Sequence, residues 1–185
     1  MIIHEPLTLA TDYMLATASV IFGVLLWRRG NRYWALAFFF TAAGSFFGGT
    51  YHGFGSQVMW KATVYAIGLA SLFLLAPFMR VVAIVLFVVY AGWMTVHDSF
   101  LYVITDYGLT LLLLAIIAIV RRRDPSSRWV IASVIVSVIA AIVQQASVAY
   151  HNDVYHLIQL VALWLLYRAG TLMSSATERP MIRPT

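Results

Sequence analysis

The chain contains no cysteine, so disulfide bridges and thiolate metal ligands are excluded, and only 10% of its 185 residues are charged. Soluble domains average about 25% charged residues. Motifs typical of P-loops, dinucleotide-binding folds and zinc proteases are also missing. In their place, 62% of the residues are hydrophobic, and the mean hydropathy is +0.87. This composition indicates an integral membrane protein with little mass outside the bilayer.

Long apolar runs predict how the chain is organised. A membrane-crossing helix needs about 20 apolar residues, and in lipid only helices and closed barrels satisfy the backbone. The runs do not alternate between apolar and polar residues, so they predict an all-α fold, a single seven-helix transmembrane domain over residues 1–173. The predicted helices cover residues 7–27, 32–51, 58–78, 80–96, 101–120, 127–150 and 153–172, and residues 174–185 are predicted to be a flexible cytoplasmic tail.

The arginines lie at one set of helix ends and predict the orientation. Basic residues are enriched on the cytoplasmic side of membrane proteins, so the N-terminus is expected outside and the C-terminus in the cytoplasm of a plasma or inner membrane. The net charge of +5 is explained by this bias, and no nucleic-acid partner is expected. The arginines at these ends are Arg28, Arg29, Arg32, Arg80, Arg121, Arg122, Arg123, Arg128 and Arg168.

The two halves of the chain resemble each other. Thr11-Asp12-Tyr13 opens the first predicted helix, and Thr105-Asp106-Tyr107 opens the fifth. An arginine pair follows sixteen residues after each aspartate, and a Tyr-His pair ends the second and sixth helices. These landmarks predict a parallel repeat of residues 7–78 and 101–172, joined by a linker helix over residues 80–97. The plan resembles that of small sugar transporters of the SWEET type, without their motifs.

Acidic and imidazole side chains gather at the other set of helix ends. His151 and His156 flank a predicted turn at Asn152 and Asp153, so the two imidazoles are expected to face each other from adjacent helices. The repeat would bring His52 beside them. Three neutral imidazoles with an open position are typical of catalytic zinc, which generates a bound hydroxide. The alternative is that the histidines lie at the lipid–water boundary and bind loop carbonyls.

Four further side chains are candidate catalytic groups. Asp12 and Asp106 lie in the first turns of their helices, where they would orient a histidine N–H or act as general base; alternatively, they stabilise the helix N-termini. Ser45 lies two turns before His52 and would stabilise an oxyanion or serve helix packing. Asp98 would act as an acid/base group or cap the fifth helix. Lys61, the lone basic residue at this end, would polarise a carbonyl or reach the headgroups.

These residues resemble the pattern of the CREST superfamily, which includes alkaline ceramidases and the progestin/adiponectin receptors. The resemblance implies seven helices, a buried zinc and lipid-amide hydrolysis. It implies that Ser45 and His52 belong to the site together with His151 and His156, and that Asp98 or Asp106 supplies the aspartate. The pattern departs in spacing: Ser45 and His52 are seven apart and His151 and His156 five apart, where the family has four in both cases.

The resulting functional prediction is a zinc-dependent membrane hydrolase acting on a lipid or amphipathic substrate near the extracytoplasmic face. One alternative is a transporter of a small solute, proton or metal ion with an Asp12/Asp106 site. Its expected polar path toward the cytoplasm is sparse, which favours the enzyme. A haem protein and a non-enzymatic sensor or assembly protein are further alternatives.

Overall fold

The computed structural model describes residues 3–145 and 150–177, and all of their regular structure is α-helical. Five of the helices, α1 and α3 to α6, are long and apolar enough to cross a membrane. The all-α prediction is confirmed, and the protein has the character of a multi-pass membrane protein. Within the described ranges the helices are α1 (Pro6–Arg28), α2 (Arg32–Phe54), α3 (Gln57–Val96), α4 (Phe100–Val120), α5 (Ser127–Gln145) and α6 (His151–Thr177).

Local sequence explains where the helices begin and end. Pro6 occupies the first helical position of α1, where its missing N–H costs no hydrogen bond. Gly30 has φ +78° in the turn that follows α1, and Gly55 has φ +70° at the end of α2. Glycine adopts this left-handed conformation without a Cβ penalty. Asn31 caps α2 by accepting a hydrogen bond from the Trp34 backbone N–H at 3.4 Å.

The predicted third and fourth helices are the two arms of α3. A straight helix of 40 residues would be about 60 Å long, twice the thickness of a bilayer core. However, Met79 has non-helical φ −148° and ψ 65°, two residues after Pro77, whose ring disrupts the preceding turn. The Tyr90 hydroxyl donates to the Val64 carbonyl at 2.9 Å. The second arm therefore folds back along the first, and the prediction of seven separate helices is not confirmed in that form.

The helices form a closed ring in which each packs on the next in sequence and α6 packs on α1. Side-chain pairs between α1 and α6 ascend both helices in the same order: Thr8 pairs with Asp153, and Asp12 with His156. The two helices consequently run parallel. If consecutive helices alternate in direction, the first and the sixth would be antiparallel. α1 and α6 are parallel because α3 reverses direction at Met79 and so counts as two segments.

The half of the ring near the arginines is filled by large side chains. Six side chains in it are at most 2% exposed and pack in one cluster: Leu26, Trp34, Phe38, Leu75, Leu114 and Leu166. The outer surface is apolar as well, as expected where a helix faces lipid. On the second arm of α3, for example, Val81, Val85 and Val89 are each more than half exposed. The arginine end contains a small cavity of about 30 Å³ beside Arg121, and a larger one of about 340 Å³ begins in the opposite half of the ring.

The predicted boundaries of the last helix differ from the bounds of α6. The turn predicted at Asn152 and Asp153 does not occur, because α6 already begins at His151. The flexible tail is predicted from residue 174, and α6 continues to Thr177; residues 178–185 lie outside the described ranges, so the tail stays a prediction. The sixth predicted helix, residues 127–150, is helical to Gln145; residues 146–149 likewise fall outside the described ranges, and Tyr150 lies in a turn.

Candidate functional site

A cavity of about 340 Å³ lies inside the ring, at the end where α1 begins, α2 ends and α3 begins. We call it the central cavity. It reaches Ala70 on α3, about 20 Å along that helix from its first residue. Its wall contains both apolar and polar side chains. The polar residues that line it are Asp12, Thr41, Ser45, Tyr51, His52, Thr63, Tyr107, Gln144, Asn152, Tyr155, His156 and Gln159.

Asp12 and His156 form a buried pair in the wall of the central cavity. His156 Nε2 lies 3.4 Å from Asp12 Oδ1, and the two side chains are only 10% and 7% exposed. His156 Nδ1 lies 3.0 Å from Thr11 Oγ1, so both ring nitrogens have partners on α1. One turn earlier, Thr8 Oγ1 donates to Asp153 Oδ1 at 2.9 Å. These contacts fix the imidazole and the carboxylate against each other.

The hydroxyl of Thr11 limits where the protons of this pair reside. It has one hydrogen, and it can donate either to His156 Nδ1 or to the backbone carbonyls of Thr8 and Leu7, at 3.1 and 3.2 Å. If it donates to Nδ1, then Nε2 carries hydrogen and donates to an ionised Asp12. If it donates to a carbonyl, Nδ1–H donates to Thr11 and a proton is shared between Nε2 and Asp12. The pair can therefore take up or release one proton without moving.

Two glycines of α2 make room for the Asp12 side chain. A Cβ at Gly49 would lie 2.8 Å from Asp12 Cβ, and one at Gly48 would lie 3.7 Å from Asp12 Oδ2. Gly44 lies one turn before Gly48 on the same face of α2, and a Cβ there would lie 3.2 Å from the Ile67 side chain of α3. Backbones approach closely where small residues permit it. These glycines allow α1 and α3 to pack on α2 while the carboxylate stays in the wall.

His52 lies at the mouth of the central cavity and not deep inside it. Its Nδ1 is 3.0 Å from Glu5 Oε2, and the two side chains are 28% and 50% exposed. The backbone N–H of His4 donates to the Gly53 carbonyl at 3.2 Å. The segment that precedes α1 is thereby tied to the end of α2 beside the mouth.

The proposed zinc trio is brought together only in part. His52 and His156 line the same cavity, but His151 is not among its lining residues. His151 and His156 lie five residues apart on α6, which turns their side chains about 140° from each other, so they do not face each other as predicted. Within residues 3–145 and 150–177, no three His, Asp or Glu side chains are grouped as metal ligands. Zinc binding stays a prediction.

The remaining predicted site residues separate into two groups. Ser45 lines the central cavity as Asp12 does. Asp98 is instead 58% exposed and pairs with Lys61 at 2.6 Å, and the Lys61 ammonium also donates to the Met94 and His97 carbonyls. Asp106 does not line the cavity, and its buried Oδ2 has no hydrogen-bond partner among the described residues. The structure therefore gives Asp12 and Asp106 different surroundings.

Tyr107, Tyr155 and Gln159 are among the lining residues that the sequence did not indicate as site residues. Gln159 is a buried amide whose Nε2 lies 3.5 Å from the Tyr107 hydroxyl, and Tyr155 lines the cavity beside them. A signal for Gln159 was present: Asn152, His156 and Gln159 follow a spacing of four and three, which places them on one helical face. The tyrosines gave no such signal, because tyrosine is common near membrane interfaces.

Together these features define a class: a multi-pass helical membrane protein with a polar cavity buried at one end of its bundle. The chain belongs to DUF6962, a family of unknown function, whose sequence profile matches residues 7–175. No curated protein and no solved structure matches the chain significantly.

Proposed function

We propose that this protein is a membrane-embedded hydrolase of a lipid or other amphipathic substrate, with Asp12 and His156 as its acid/base pair. The observation that carries the proposal is the contact of His156 Nε2 with Asp12 Oδ1 at 3.4 Å in the wall of a 340 Å³ cavity. Carboxylates in a bilayer are costly, and they usually serve a function. An imidazole held against a carboxylate is a common arrangement for moving a proton.

The wall of the central cavity supports an amphipathic substrate. Small-molecule sites are mostly apolar, with a few polar groups that orient the ligand. Here Leu15, Ile67 and Ala70 provide apolar surface, while the Ser45 hydroxyl and the Gln159 amide provide hydrogen-bonding groups. The volume accommodates the polar part of a lipid together with a water molecule.

The chemistry follows from the proton that Asp12 and His156 share. Asp12 accepts a proton from water, and the resulting hydroxide adds to the carbonyl carbon of an ester or amide. The bond from that carbon to the leaving oxygen or nitrogen then breaks. Asp12 then gives this proton to the leaving group, which restores the pair, while His156 Nε2 at 3.4 Å holds the carboxyl group in place. Thr11 acts as a positioning residue, because its hydroxyl holds His156 Nδ1 at 3.0 Å.

We also propose that the chain crosses the membrane seven times, with the central cavity toward the extracytoplasmic face. Because α1 and α6 run in the same direction, the number of crossings from α1 to α6, with both included, should be odd. Each arm of α3 has a length suited to one crossing. The arginine-rich ends, including Arg28, Arg121 and Arg122, support a cytoplasmic location for the opposite end.

The first experiment measures hydrolysis by the full chain in proteoliposomes. Its substrates are a panel of short- and long-chain fluorogenic acyl esters and amides. Asp12→Asn keeps the shape of the side chain and removes its basicity, so the rate should fall about 100-fold or more. Asp98→Asn is the matched control, because Asp98 lies at the same end of the bundle and outside the cavity. Full activity of Asp12→Asn would remove the proposed role of the pair.

Two measurements address the rival functions. Metal analysis of the wild-type protein and of the His52→Ala variant tests the zinc prediction: zinc that is bound by the first and lost in the second would support it.

A proton-flux assay in the same liposomes tests transport. The shared proton of Asp12 and His156 suits proton coupling, but the filled half of the ring argues against a continuous path. Flux that requires Asp12, without hydrolysis, would favour the transporter.

A further inference from the structure

A second cavity opens on the side of the bundle, between α4 and α5. It has a volume of about 240 Å³, and we call it the lateral groove. On α4 it extends from Phe100 to Ala115, which is about 22 Å of helix, or most of the thickness of a bilayer core. Leu112 and Val138 line it and are 56% and 50% exposed. The groove therefore faces the lipid along the direction of the hydrocarbon chains.

The lateral groove adjoins the central cavity at one end. Six residues line both spaces: Ile67, Phe100, Tyr107, Gln144, Tyr155 and Gln159. The shared residues include a tyrosine pair and two amides, so the junction is polar. Beyond the junction the groove is bounded mainly by aliphatic side chains such as Val103, Leu111 and Val134.

We propose that the lateral groove is the binding site for one hydrocarbon chain of a bilayer lipid, whose polar end occupies the central cavity. The proposal rests on the proposed function and adds how the substrate is held and enters. Polarity changes along the path as it does along a lipid, from the Asp12 end of the cavity through the junction to the aliphatic groove. A chain lying in the groove keeps its hydrocarbon out of water, while its ester reaches the polar residues.

Gly108 leaves space for this chain. It lines the groove, and a Cβ added there would meet no atom within 4 Å. Glycine inside a helix costs about 1 kcal/mol relative to alanine, and nothing in the packing of α4 requires it at this position. A side chain added at this position would begin in open space at the groove wall, where a larger one would narrow the groove. Its absence keeps the route between α4 and α5 open.

The chain offers a matched control for blocking the groove. Gly92 lies on the second arm of α3, is exposed, and likewise has no atom within 4 Å of an added Cβ. It does not line the groove or the central cavity. Gly108→Leu and Gly92→Leu therefore make the same chemical change in an exposed helical position, and only the first lies in the groove wall.

The test uses a monoacylglycerol with a long chain that carries a diazirine next to its ester, incorporated into phosphatidylcholine vesicles with the full-length protein. After irradiation, peptide mass spectrometry measures adducts on Tyr107 and Gln159. Gln159 is only 6% exposed, so bulk lipid does not reach it. We expect adducts in the wild-type protein and in Gly92→Leu, and a loss of at least about tenfold in Gly108→Leu.

Either of two results would overturn the lateral route. One is equal labelling of Gln159 in Gly108→Leu and in the wild-type protein, since the chain would then enter elsewhere. The other is labelling confined to outward residues such as Leu112, since the groove would then hold only passing bilayer lipid. Because labelling reports binding without turnover, labelled junction residues in a protein that hydrolyses nothing would refute the proposed hydrolase and leave the lipid site standing.

Discussion

Replacement of Gly49 by alanine should displace the proposed catalytic carboxylate and leave the bundle less stable than the matched replacement of Gly48. The added Cβ would lie 2.8 Å from Asp12 Cβ and 3.1 Å from Tyr13 Cδ1. Asp12 Cβ is attached directly to the α1 backbone and cannot rotate away as the end of a long side chain can. The substitution therefore forces α1 and α2 apart by several tenths of an ångström.

The neighbouring glycine supplies the comparison from which the magnitude follows. A Cβ at Gly48 would make ordinary contacts, 3.5 Å from the Thr63 side chain and 3.7 Å from Asp12 Oδ2. Both substitutions gain about 1 kcal/mol of helix propensity, and this gain cancels in their difference. Overpacking costs about 1–3 kcal/mol. Gly49→Ala should therefore be less stable than Gly48→Ala by about 1–3 kcal/mol.

The assay is the free energy of unfolding of each variant in lipid bicelles, measured by steric trapping. Hydrolysis should also fall in Gly49→Ala, because a displaced Asp12 lengthens a contact with His156 that is already 3.4 Å. Two variants of equal stability, within about 0.5 kcal/mol, would refute the close approach of α1 and α2 at Gly49. The room for Asp12 would then have another origin.

Two further predictions concern the fold-back of α3 and its end. Tyr90→Phe removes a buried hydroxyl that donates to Val64 at 2.9 Å and should lower the free energy of unfolding by about 1 kcal/mol; an unchanged value would mean that this bond does not hold the arms together. Asp98→Asn should change the same quantity by less than about 1 kcal/mol, because its pair with Lys61 is exposed. Lys61→Met should lower the free energy of unfolding more than Asp98→Asn does, since the ammonium also donates to two backbone carbonyls. A larger loss in Asp98→Asn than in Lys61→Met would contradict this account.

The helices could be predicted because their cause is local. Hydrocarbon permits no unpaired backbone groups, so a long apolar run must be helical wherever it packs. The predicted ranges 32–51 and 101–120 therefore fall inside α2 and α4. The prediction was least accurate at residues 150–153, where a polar stretch is equally suited to a turn and to the first turn of a helix.

The candidate site could be predicted only in part, because its assembly depends on packing. Asp12, Ser45, His52 and His156 do line one cavity, and all four were singled out in the sequence. His151 does not join them, because it lies on the same helix as His156 and a separation of five residues turns the two side chains about 140° apart. Asp98 and Asp106 share the end of the bundle but not the cavity.

From the amino-acid order alone came the helical class, the approximate extent of each apolar segment and the concentration of acids and imidazoles at one end. These properties follow from hydrophobicity and charge summed along a segment. Only the tertiary structure decided that residues 57–96 fold back on themselves, that Asp12 packs closely against Gly49, and that the Gln159 amide lies beside the Tyr107 hydroxyl. Spacing fixes the angles between side chains on one helix, but the direction in which that helix turns its face is set by the helices packed around it.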